Sequence, residues 1–114
     1  MIDVDPERFE ELVVEALDSI PDDLAQRMEN VAVVVRDHAP VEGLLGLYEG
    51  IPLTERENYG GMILPDRIMI FRRQICEIAW NEDEVRHQVR VTVVHEVAHH
   101  FGIDDDRLHE LGWD

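Results

Sequence analysis

Lysine is absent from this chain: all ten basic residues are arginine. Either a compositional bias or selection for arginine produces that pattern. Cysteine occurs once, at Cys76, which excludes an internal disulfide and any need for an oxidising compartment. Cys76 reads as a small buried hydrophobe inside a helix. Basic charge is also scarce. Ten arginines face 26 acidic residues, a formal charge of −16. That balance argues against nucleic-acid binding, which relies on a basic surface to displace phosphate counterions. A field of this sign favours basic substrates, although most of the acidity reads as solvated surface. No run approaches the roughly eighteen apolar residues of a membrane span. The opening MIDVDPERFEEL is acidic and lacks the basic segment and apolar run of a secretory leader. The expectation is a cytoplasmic protein with no membrane and no nucleic-acid partner.

What is present is enough for one packed core. A chain of 114 residues with 45% apolar content reads as a single domain over residues 1–114. Asp5 and Pro6 form a helix start, and Phe9, Leu12, Val13, Ala16, Leu17 and Ile20 follow at helical spacing up to Pro21. Asp22–Glu29 extends this as a short second helix. Val31–Arg36 is largely β-branched and predicts a buried strand. Between Asp37 and Pro65, glycine and proline break the pattern, leaving Leu44–Tyr48 as one short strand in a long loop. Arg67–Phe71 predicts another strand, Arg72–Trp80 a helix, and Glu82 to about Phe101 a longer helix. Strands set between helices at both ends predict an α+β fold, a small mixed β-sheet packed against helices.

The chemistry is concentrated in one segment, His95-Glu96-Val97-Ala98-His99-His100-Phe101-Gly102-Ile103-Asp104-Asp105. Residues four apart on a helix stand nearly above one another, so His95 and His99 can direct imidazoles at one ion. Glu96 lies about 100° round the helix from His95 and about 60° from His99. It borders the metal without binding it, which suits a carboxylate that takes a proton from metal-bound water. Val91, Val94, Ala98 and Phe101 read as the apolar side of this helix. Gly102 is placed to stop it in the left-handed conformation, letting the chain turn back with a ligand from Asp104 to Asp106. Asp105 stands ten residues after His95, the offset of the last ligand in the pattern H-E-x-x-H-x-x-G-x-x-H. A glutamate from a distant helix is the other arrangement known for such motifs. Only fifteen residues follow His99, and Glu110 is too near in sequence to fit it comfortably. Two histidines and a carboxylate make an open zinc site.

These residues and their surroundings resemble the small bacterial zincin-like metallopeptidases, the mini-zincins. Leu47-Tyr48-Glu49-Gly50-Ile51-Pro52-Leu53 is similar to that family's LYxGxPL block. Pro65–Arg72 is similar to its strand leading into a helix, and Thr92–Gly102 with Leu108 and Leu111-Gly112 to its C-terminal signature. The resemblance spans about residues 44 to 112. It implies a compact zincin core with a metal site of type HExxHxxGxxD, and a peptidase activity whose natural substrates are poorly defined. Larger metzincins place a methionine turn beneath the metal. No methionine follows the motif here, and Met62 and Met69 read first as core residues.

Among the other candidates, His100 points about 100° away from His99 and reads as a surface residue or a support for the ligands. His109 is a reserve ligand, and His38 and His87 read as solvent-facing. Tyr48 and Tyr59 are structural before they are oxyanion donors, while Trp80 and Trp113 read as packing residues. The expected function is zinc-dependent hydrolysis of a peptide or protein substrate, with His95, His99 and Asp105 as ligands of one Zn2+ and Glu96 as general base and acid. Leu44–Tyr48 would be an edge that pairs with extended substrate. The alternative is a metal-binding or interaction domain that keeps the zinc site with little turnover.

Overall fold

The computed structural model describes residues 1–28, 30–50 and 66–111. The readings made at Met62, Tyr59, Trp113 and the second half of the LYxGxPL block lie outside those residues. Helix α1, Pro6–Asp18, begins as the sequence predicts, with Asp5 as its cap accepting from the Arg8 amide at 3.0 Å. Its apolar stripe of Phe9, Leu12, Val13 and Ala16 is buried. Helix α2 is only Asp22–Ala25, shorter than predicted. Three-residue turns from Arg27 to Leu24 and from Met28 to Ala25 end it. Asn30 then takes a positive φ of 55°, which asparagine tolerates better than most residues.

Strands β1 (Val31–Arg36), β2 (Gly46–Glu49) and β3 (Asp66–Phe71) form one sheet in the order β1-β3-β2. β1 runs parallel to β3 with Val31 opposite Asp66, and β2 runs antiparallel with Tyr48 opposite Ile68. The mixed α+β architecture read from the sequence is therefore what forms. Two details differ. Among the described residues β1 pairs on one side, with β3, and none of its residues is fully buried. Its valine run reflects β-propensity with partial cover rather than full burial. β2 starts two residues later than predicted, because Val41 and Leu44 are tied in a turn before the pairing with β3 begins.

Asp66, Ile68 and Ile70 alternate on the buried face of β3, and Met69 points to the other face. Met69 thus has no place in the floor beneath the zinc motif. Helix α3, Arg72–Ile78, buries Ile75 and Cys76 as expected for the cysteine. Arg72 is also buried, at 4% exposure, and its guanidinium ties three parts of the chain together. It donates to Asp37 at 3.0 Å, to Asp3 at 3.3 Å and to the Val4 carbonyl at 2.8 Å. The contact with Arg72 holds the Asp37 carboxyl below its ordinary value.

The chain becomes extended at Ala79, so α3 stops short of Trp80. Trp80 is 77% exposed, contrary to its reading as a packing residue. It sits between the fully buried Ala79 and Asn81, the cap of the next helix, and its ring is left on the solvent side. Helix α4, Glu82–His100, rests on β2, β3 and α1. Its core stripe is Val85, Val89, Val93 and Val97 with Ala98, not the Val91 and Val94 expected from the sequence. Helix α5, Asp105–Leu111, follows the turn after α4 and anchors itself through the fully buried Leu108.

Candidate metal centre

Gly102 adopts a φ of +80°, the conformation that a side chain resists, and its amide donates to the His99 carbonyl at 2.9 Å. The Ile103 amide reaches back to Ala98 at 3.0 Å, so the chain reverses tightly against the end of α4. Asp104 then caps α5: its carboxylate accepts from the Arg107 amide at 2.9 Å. These two local devices deliver Asp105 to the first position of α5, facing the last turns of α4.

Asp105 Oδ1 stands 3.1 Å from His95 Nε2 and 3.0 Å from His99 Nε2. The two imidazoles lie edge to face with centroids 4.5 Å apart. Both Nε2 atoms therefore converge on one carboxylate oxygen, the place where a cation shared by all three would stand. Donor atoms about 2.0–2.1 Å from a tetrahedral zinc stand roughly 3.3–3.4 Å apart. The observed separations of 3.0 and 3.1 Å come within a few tenths of an ångström of that, so the donor set fits the ion.

Glu96 also lies close, and the donor atoms of His95, Glu96 and His99 are all within 4.8 Å of one another. Its contact is of a different kind. Glu96 Oε1 meets His99 through Nδ1, at 3.1 Å, on the side of the ring away from Asp105. An imidazole that offers Nε2 to a metal carries its proton on Nδ1 and donates it to such a carboxylate. Asp105 thus meets both rings at Nε2, and Glu96 meets His99 at Nδ1. Glu96 is 6% exposed, and burial pushes its carboxyl up from the ordinary glutamate value, against the pull of His99 and His95. Asp105 is shifted down, chiefly by its contact with His99.

Beside Glu96 and His95 a cleft of about 250 Å³ opens between α4 and the residues leading into β2, with Leu44, Leu45, Val91 and Thr92 on its walls. Val91 belongs to this cleft, which explains its absence from the core. Gly46 lets β2 approach α4 closely. A Cβ there would lie 2.5 Å from Thr92 Cγ2 and 3.3 Å from Glu96 Cγ. Threonine is stiff at χ1 on a helix and cannot yield cheaply. Gly46→Ala should therefore cost about 1–3 kcal/mol, the scale of overpacking in a core, measurable by urea unfolding. A larger apolar hollow of about 460 Å³ lies on the flank formed by Val94, Ala98 and Phe101 with Ile20, Leu24 and Ile103. None of the four motif residues lines it.

The sequence model of the zincin-like metallopeptidases matches residues 28–113. The chain belongs to this family. No curated protein sequence matches it. The match covers every described strand, α3 to α5 and the candidate metal centre, while α1 lies ahead of it in the chain. Membership implies a zinc-binding, peptidase-type centre, in agreement with the donor set. Among the described residues, no helix is long and apolar enough to cross a membrane.

Of the other histidines, His38 and His87 are exposed as expected. His109 is exposed on α5. Of the two readings of His100, surface residue or support for the ligands, burial excludes the first. His100 is fully buried, with Nδ1 at 3.0 Å from Asp66 Oδ2. Tyr48 donates to the same oxygen. Asp66 drew no notice in the sequence. An acidic residue opening a strand that turns apolar after Arg67 was the available signal.

Proposed function

We propose that this zincin-like protein hydrolyses peptide bonds, with one zinc ion held by His95, His99 and Asp105. The observation that carries the reading is the convergence of both Nε2 atoms on Asp105 with a buried carboxylate one residue along the helix. A zinc ion held there supplies a Lewis acid that acidifies water and polarises a carbonyl. Glu96 accepts the proton of the attacking water and passes it to the departing amine nitrogen. Burial raises the affinity of Glu96 for a proton, which supports its role as the acceptor. The cleft between α4 and the residues leading into β2 supports an extended peptide or protein substrate, laid against the side of β2 that is unpaired among the described residues. A cytoplasmic location is part of this reading.

Protein purified without a histidine tag and without added metal should contain one divalent ion per chain by elemental analysis, with zinc dominant. Cobalt or nickel should substitute in vitro. The zinc-loaded protein should then cleave members of a diverse peptide library. Metal that stays well below one per chain after zinc is offered rejects the site. Stoichiometric zinc with no cleavage leaves the alternative, a metal-binding or interaction domain.

A further inference from the structure

Asp66 and His100 have no exposed surface, although both side chains are polar. A carboxylate buried this completely is costly unless donors satisfy it. Asp66 Oδ2 receives two of them from two other elements. The Tyr48 hydroxyl on β2 donates at 2.5 Å, and His100 Nδ1 on α4 stands at 3.0 Å. The Tyr48 and His100 rings also meet edge to face, with centroids 5.9 Å apart. Asp66 itself opens the central strand and is fixed along its backbone, its amide donating to the Asn30 carbonyl at 2.9 Å. Gly50, just beyond β2, has a φ of +154°, and a Cβ there would lie 2.3 Å from Asp66 Oδ1. The chain is built closely around this one carboxylate.

The position of His100 gives the cluster its consequence. It directly follows His99 in the last turn of α4, about 100° round the axis. Any rotation of that turn moves His99 and His100 together. The valine stripe beneath α4 restrains rotation only through non-directional packing, whereas a hydrogen bond to a fixed strand atom is directional. We propose that Asp66, Tyr48 and His100 form a buried polar lock that sets the rotation of the end of α4, so that His95 and His99 converge on the metal. The inference rests on the zinc reading given above. His100 and Asp66 are positioning residues in it, since neither faces the ion or the cleft.

The test uses the full chain and three variants. His100→Leu removes the ring donor, His100→Asn keeps an N–H donor near the place of Nδ1, and Tyr48→Phe removes a single hydroxyl from another element. Zinc affinity is read by competition with a chromogenic chelator, and ligand geometry by the visible absorption of the cobalt-loaded protein. Circular dichroism selects conditions in which each variant is folded. His100→Leu should weaken zinc binding about tenfold or more, the scale on which supporting groups act, and should alter the cobalt spectrum. His100→Asn should restore most of both, and Tyr48→Phe should fall between. A folded His100→Leu with wild-type affinity and spectrum overturns the inference, leaving the cluster a role in stability alone. Where His100→Leu does not fold, a Tyr48→Phe variant with unchanged affinity and spectrum overturns it equally. A wild type that takes up neither metal overturns the zinc reading and the lock with it.

Discussion

Glu96→Gln should lower peptide hydrolysis about a hundredfold or more while leaving zinc in place, the usual scale for losing a general base. Glutamine keeps the side-chain length and an amide oxygen able to accept from His99 Nδ1, the contact that carboxylate makes at 3.1 Å. The imidazole therefore keeps the tautomer that offers Nε2 to the metal. Only the proton-accepting capacity is lost. Glu96→Ala removes the orienting contact as well, so its zinc affinity should fall where that of Glu96→Gln does not.

The same substitution has a second readout with the opposite sign. Burial raises the proton affinity of Glu96 in the metal-free protein. A carboxyl raised in the folded state favours folding while it is protonated, below its unfolded value. That advantage is lost as pH rises through the folded one. At neutral pH the buried charge is a cost, and a neutral glutamine removes it. Metal-free Glu96→Gln should melt several degrees above wild type at pH 7, with the difference shrinking in acid. An active wild type matched in rate by Glu96→Gln would exclude Glu96 as the base. An unchanged or lower melting point would mean that burial does not strain this carboxylate.

Local signals carried most of the fold into the sequence. Asp5-Pro6 and the spacing from Phe9 to Leu17 place the first helix because caps and periodicity act within a turn or two. The candidate metal residues stand out for the same reason, since His95, Glu96 and His99 share one helix and Asp105 follows one glycine turn later. What was not legible is contact between distant segments. Arg72 reaching Asp3, Asp37 and Val4, or Asp66 receiving Tyr48 and His100, depends on strand order, which no local pattern states. The misplaced side of α4 has the same origin. Val91 and Val94 are as apolar as Val89 and Val93, and the placement of β2, β3 and α1 against the helix decides which pair is covered.

Asp105 is where the turn, the family motif and the metal chemistry meet, and its loss should weaken zinc binding by more than about a hundredfold. Supporting groups around a zinc ligand are worth roughly 10–100-fold; one of three protein ligands should exceed that. Asp105 carries the oxygen that both Nε2 atoms approach, and neither neighbour has an equivalent contact. Asp104 is spent on the cap of α5, where alanine costs about 1 kcal/mol of local stability. Asp104→Ala should therefore loosen the start of α5 and weaken zinc only modestly. Asp106 is exposed in the first turn, where a negative charge favours the helix N-terminus slightly, and Asp106→Ala should bind zinc like wild type. Asp105→His should retain the metal, because histidine is the commoner ligand at this offset and Leu108 still anchors α5 in the core. Chelator competition on the four variants orders them as Asp106→Ala, Asp104→Ala, Asp105→His and then Asp105→Ala, from tightest to weakest. If Asp104 or Asp106 proves the sensitive position, the tight turn at Gly102 aims a different carboxylate. If all three alanine variants bind alike, the third ligand is none of these aspartates, and His109 and Glu110 on α5 become the residues to test.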